Sequence, residues 1–183
     1  VCMSAAAEAY DMMVEEKGHF ACLSVQNNFS AIMYRAPMMA LWLNSGLSGL
    51  ARAEAVLRVS MVLESVLVRM SICGQTTNSI DKAFSTIAMK ISNRQLGSTP
   101  AEIETGIREY FSDASHQVPS DDIFYNSLME LQIQLRPTRW RSMFARMDFA
   151  LKYPEEPTYK YVPVIHSIEL DYMKPLFEKP SWG

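Results

Sequence analysis

Arg136, Arg139, Arg141 and Arg146 surround Trp140 and form the one basic cluster of the chain with an aromatic residue set inside it. Guanidinium groups pair with phosphate oxygens and aromatic rings stack on bases, so this run has the chemistry of a contact to a DNA backbone. A charged helix face beside a buried tryptophan accounts for the same residues and is the preferred reading. Arg69 lies in a largely apolar stretch, where the ordinary work of a guanidinium is an ion pair or a bond to helix-end carbonyls rather than ligand binding. Cys73 has no neighbouring base to activate its thiol and reads as a small core hydrophobe. His19 and His116 adjoin turns, without a partner at metal-ligand spacing. The pairs Asp121-Asp122 and Glu155-Glu156 offer oxygens to a metal, but acidic pairs at a helix start or loop tip ordinarily cap N–H groups or face water.

Helices must position these groups, because the chain is rich in Ala, Leu, Met and Glu and has only seven glycines. Ser4 is placed to cap a first helix running to about Lys17, with Gly18 as its stop. The apolar stretch from Asn28 to Asn44 carries Pro37 in its middle, which predicts two helices or a kinked one. Val56, Val59, Leu63, Val66, Leu67 and Met70 recur every three or four residues and predict a helix from Leu50 to Cys73. Val62 and Val68 lie off that stripe, so this helix should be apolar on more than one side and central, with Gly74 ending it in a left-handed cap.

Ile80, Phe84, Ile87 and Ile91 predict another helix over Ser79 to Ser92. Thr99-Pro100-Ala101-Glu102 has the form of a capping box with proline at the first helical position, opening a helix to about Phe111. Ser120-Asp121-Asp122 caps an amphipathic segment containing Ile123, Phe124, Leu128, Leu131 and Leu135, interrupted by Pro137, and a last helix runs from Thr138 to Lys152. Beyond Tyr153 the prolines argue against helix, and Tyr159, Tyr161, Ile168, Leu170 and Tyr172 suggest one short extended segment. The thirteen methionines fall mostly at helical core positions, as space fillers.

The formal charge of −3 supplies no global field to hold nucleic acid or an anionic membrane, so any DNA contact must be local. Three widely spaced cysteines suit reduced thiols in a cytoplasmic protein. Arg or Glu interrupts every apolar stretch before it reaches bilayer length, which predicts no membrane span. The first residue, Val1, and the ending Ser181-Trp182-Gly183 suggest a fragment of a larger protein.

The stretch Val68-Arg69-Met70-Ser71-Ile72-Cys73-Gly74, followed by Thr76 and Thr77 and then Phe84, resembles a pattern of GmrSD-type restriction endonucleases. That pattern has a helix ending in Val-Arg, an apolar residue and Cys-Gly, then Thr, a helix and Phe. Met70 stands where the family usually has a second arginine. Residues 139–151 resemble the helix before the family's nuclease motif, and Ile168-Glu169-Leu170-Asp171-Tyr172-Met173-Lys174-Pro175 resembles the motif's opening.

The resemblance implies a modification-dependent restriction or phage-defence enzyme with an amino-terminal ParB-like nucleotide-hydrolysing domain, to which nothing in this chain corresponds. It also implies a carboxy-terminal His-Me finger (HNH) nuclease. There a histidine deprotonates a water that attacks the phosphodiester, and a divalent metal stabilises the developing charge. In one register Asp171 takes the acidic position and Tyr172 the place of the histidine, where a phenol is a poor general base near neutral pH. In the other His166 becomes the base, at the loss of the acid and of the match at Pro175.

The fold expected is mainly all-α: an irregular multi-helix bundle over 1–152, then over 153–183 a linker with a short extended segment that begins an incomplete HNH-like nuclease. The function expected is a helical scaffold that joins sensor and nuclease domains and helps to position DNA. Arg69, Cys73 and Gly74 would be its structural motif, with no cofactor in this stretch and a divalent metal in the full nuclease domain. Two alternatives stay open: a non-enzymatic interaction module, with Tyr172 marking a retired site, or a scaffold unrelated to restriction.

Overall fold

Helix boundaries in this chain follow from local chemistry that is legible at several ends. The structure, a computed structural model, describes residues 3–14, 32–75, 77–113 and 118–130. Six α-helices occupy most of these residues: α1 (Met3–Val14), α2 (Arg35–Trp42), α3 (Gly49–Ile72), α4 (Thr77–Ser92), α5 (Pro100–Ser112) and α6 (Asp121–Glu130). Among the described residues there is no strand. No helix among them is long and apolar enough to cross a membrane. The last helix and extended segment expected beyond Glu130 lie outside the described residues.

The central helix ends as its sequence requires. Gly74 takes φ +70°, a left-handed conformation that glycine adopts without a Cβ penalty. The Gln75 N–H then donates to the Met70 carbonyl at 2.9 Å, closing the helix end in a Schellman turn. At the start of α5 the Thr99 hydroxyl accepts from the Glu102 N–H, while the Glu102 carboxylate accepts from the N–H groups of Ser98 (2.8 Å) and Thr99 (3.1 Å). With Pro100 at the first helical position, this is the expected capping box.

Three expectations need correction. Helix α1 begins at Met3, so Ser4 lies inside it rather than capping it. Pro37 falls in the first turn of α2, where its missing N–H costs no intrahelical bond, so it does not kink a helix; the other form expected, two helices, rests on residues before 32 that lie outside the described ones. In α6 no residue is buried: Phe124 and Leu128 pack partly on the core, whereas Ile123 is exposed.

The core is one cluster centred on α3, which contributes Val56, Val59, Val62, Leu63, Val66, Leu67 and Met70. Val62, off the main stripe, is buried with the rest, as befits a helix enclosed on more than one side. From α4 come Ile80, Phe84, Ile87 and Ile91, and from α5 come Ile103, Ile107 and Phe111. Phe84 and Phe111 meet edge to face, with centroids 6.2 Å apart. Packing partners alternate along the chain: α2 packs on α4, α3 packs on α5, and α6 touches the bundle through α3. Met13, Met38 and Met70 are buried space fillers, while Met89 and Met129 are exposed.

Candidate functional site

Arg69 sits in the last turn of α3, where a cation is favoured by the partial negative charge of the helix end. Its guanidinium turns toward the start of α6. One Nη donates to the Pro119 carbonyl at 3.2 Å and the other pairs with the Asp121 carboxylate. The guanidinium carbon also lies 5.3 Å from the centroid of the Phe124 ring, a cation–π distance. A single side chain therefore holds a backbone carbonyl, a carboxylate and a ring of one short segment. The Asp121 side chain is 87% exposed and that of Arg69 28% exposed, so water screens the ion pair, which contributes at most about 1 kcal/mol.

Behind this clamp a second charge network ties α3 to α5. Arg58 meets Glu54 at 2.7 Å on its own helix and Glu104 at 2.9 Å on α5, and Glu104 also receives Arg108 at 2.9 Å. Burial pushes the Glu104 carboxyl upward, but its bonds to Arg58 and Arg108 outweigh that and hold it below the usual range. The hydrogen bond to Glu104 is the main cause that raises Arg58, followed by the bond to Glu54.

Of the residues singled out by sequence, Arg69, Cys73 and Gly74 are brought together by one helix end, as a structural unit. Cys73 caps α3, its N–H donating to the Arg69 carbonyl at 3.0 Å, and it is half-buried rather than a core hydrophobe. Met70, at the place of the missing second arginine, is 1% exposed and faces the core. Asp121 and Asp122 occupy the first turn of α6, and among the described residues no group of His, Cys, Asp and Glu is arranged to hold a metal ion. His19, His116, Glu155 and Glu156 lie outside the described residues, as do Arg136, Arg139, Arg141, Arg146, His166, Asp171 and Tyr172.

Sequence reading missed Pro119 and Phe124 as partners of Arg69. No local signal joins them, because Pro119 is 50 residues further along the chain and periodicity reports only neighbours on one element. Comparison with protein-family models, with curated proteins and with solved structures finds no match.

Proposed function

We propose that the helical bundle is a scaffold that fixes the position and direction of the chain leaving α6, and so places the segment that follows. In this reading the segment belongs to the metal-dependent nuclease of a modification-dependent DNA restriction enzyme, as the resemblance around Arg69 and Asp171 implies. The observation that carries the scaffold role is the commitment of Arg69 to Pro119, Asp121 and Phe124. A guanidinium spent on three groups of one segment orients that segment, since the bonds fix both where α6 begins and how it is turned.

The test is a magnesium- or manganese-supplemented cleavage assay on plain and base-modified DNA, using the protein from its complete gene. Metal-dependent cleavage that His166→Ala abolishes, and that Arg69→Ala weakens while the bundle stays helical, is the expected result. Activity gained only with Tyr172→His would mark a decayed site in the other register. A folded protein that cleaves in none of these forms would sink the nuclease assignment.

A second reading, a helical protein-interaction module without nuclease activity, is favoured by one feature. Helix α6 presents Ile123, Tyr125 and Met129 to solvent, all more than half exposed on a ten-residue helix.

A further inference from the structure

Where the α2–α3 loop meets the end of α4, an open cleft of about 490 Å³ lies between the two helices, a size usual for small-molecule sites. Asn44 lines it and is only 8% exposed, yet one end of its amide is unused. Its Oδ1 accepts from the Gly46 N–H at 2.9 Å, which fixes the orientation of the amide, and among the described residues its Nδ2 donates to nothing. Buried amides are ordinarily bonded at both ends, so this nitrogen has protons left for a molecule in the cleft.

Gly46 brings Arg94 to the same place. A Cβ on Gly46 would stand 3.2 Å from Asn44 Oδ1 and 3.6 Å from both Cζ and Nε of Arg94, so the two side-chain heads flank one residue, within reach of a single small anion. Arg94 gives one of its five N–H groups to the Ser45 hydroxyl, at 2.6 Å, and among the described residues it forms no ion pair. Neither neighbouring element offers it a carboxylate: residues 32–53 contain no Asp or Glu, and the one acid of α4, Asp81, lies near the far end of that helix. Glu102, the next acid along the chain, is engaged by the Ser98 and Thr99 N–H groups. Arg94 also ends α4 at φ +55°, with the Gln95 N–H donating to the Lys90 carbonyl at 2.9 Å, a left-handed position that glycine would hold without strain.

A carboxylate matches this pair. Its two oxygens meet a guanidinium fork side by side, its single charge balances the one charge of the lining, and Asn44 Nδ2 supplies a further donor. A phosphate dianion would bring a second charge with no partner beside apolar side chains. Those side chains are Met39 and Ala40 from α2 with Ala88 and Met89 from α4, where the short alanines leave room for an unbranched chain and the methionines adapt to it. We propose that this cleft binds an aliphatic monocarboxylate. Its carboxylate lies between Arg94 and Asn44, and its chain runs along Ala40 and Ala88 in the groove between α2 and α4. Binding here is independent of the scaffold and nuclease readings.

Hexanoate is the probe, titrated into the whole chain and followed by amide NMR, with hexanamide as the uncharged control and acetate as the control without a chain. Saturable shifts at Ala40, Gly46, Ala88 and Arg94 that hexanamide does not reproduce are expected, with hexanoate binding roughly tenfold or more tighter than acetate as its methylenes leave water. Arg94→Gln should weaken hexanoate roughly tenfold, the loss of one charge-assisted contact. Asn44→Asp keeps the acceptor for the Gly46 N–H but faces the ligand with a like charge, and should abolish binding at neutral pH. Ala88→Leu fills the path of the chain, so it should bring hexanoate down to the level of acetate and leave acetate unchanged, a split that damage to the fold would not produce. Thermal midpoints check that the bundle persists, and Arg94→Gln and Ala88→Leu decide the matter if Asn44→Asp unfolds it. No saturable shift into the millimolar range, equal affinity for acetate and hexanoate, equal response to hexanamide, or indifference to Arg94→Gln would overturn the proposal.

Discussion

Arg69 combines three modest interactions whose sum matters because they converge on one short segment. Its bond to the Pro119 carbonyl, its screened pair with Asp121 and its cation–π contact with Phe124 together contribute about 2 kcal/mol to the docking of α6. Arg69→Lys keeps the charge but not the planar fork that reaches a carbonyl and a carboxylate together, so it should recover less than half of what Arg69→Ala loses. Amide exchange across 121–130 measures this: protection should fall there in both variants and stay unchanged at Phe84 and Ile107, which lie in the core. Loss of protection spread evenly over all helices would show that Arg69 supports the whole bundle instead. Little of this was legible in the sequence. The arginine itself was conspicuous in its apolar setting, but its partners come from a segment two helices away, and Asp121 read correctly only as a residue at a helix start.

Helices were legible to the extent that their ends carry their own chemistry. The long α3 has both a stripe and a stop at Gly74, and α5 has Thr99, Pro100 and Glu102 in the order that a helix start demands. Where a tertiary choice decided the outcome, sequence spacing said less: the stretch around Pro37 read as two helices or one kinked helix, and of these the kink is absent because Pro37 lies in the first turn of α2, while α6 leaves Ile123 in water. The capping box makes α5 sensitive to acid. Bonds from the Ser98 N–H, and then from the Thr99 N–H, hold the Glu102 carboxyl below its usual range. A group depressed in the folded state contributes its full stability above its unfolded value and loses it as the pH falls through the folded one. Urea midpoints should therefore drop on the acid side of the ordinary glutamate range, and Glu102→Gln should flatten that part of the profile while keeping the reach of the side chain. Thr99→Ala should cost about 1 kcal/mol at neutral pH, by loss of the bond to the Glu102 N–H.

Across the described residues the molecule is a bundle organised around α3, and composition with periodicity was sufficient to read that class. The order in which helices pack was not readable, because each apolar face is compatible with several partners and only their shapes decide among them. Removing the Phe84 ring, fully buried and set against Phe111, should cost about 3–5 kcal/mol and be visible as a lowered unfolding midpoint. The alternation of partners, α2 with α4 and α3 with α5, reaches beyond stability. A cut between α3 and α4, at the Gly74 turn, severs one peptide bond yet leaves each half with helices whose partners lie on the other. Each piece keeps only its minor packing contacts and loses the main partner of its helices, so each alone should give weak helical circular dichroism, and mixing them should restore it with one cooperative melt. The bundle is thus a natural split protein, whose assembly from two separately made halves would report that they have met.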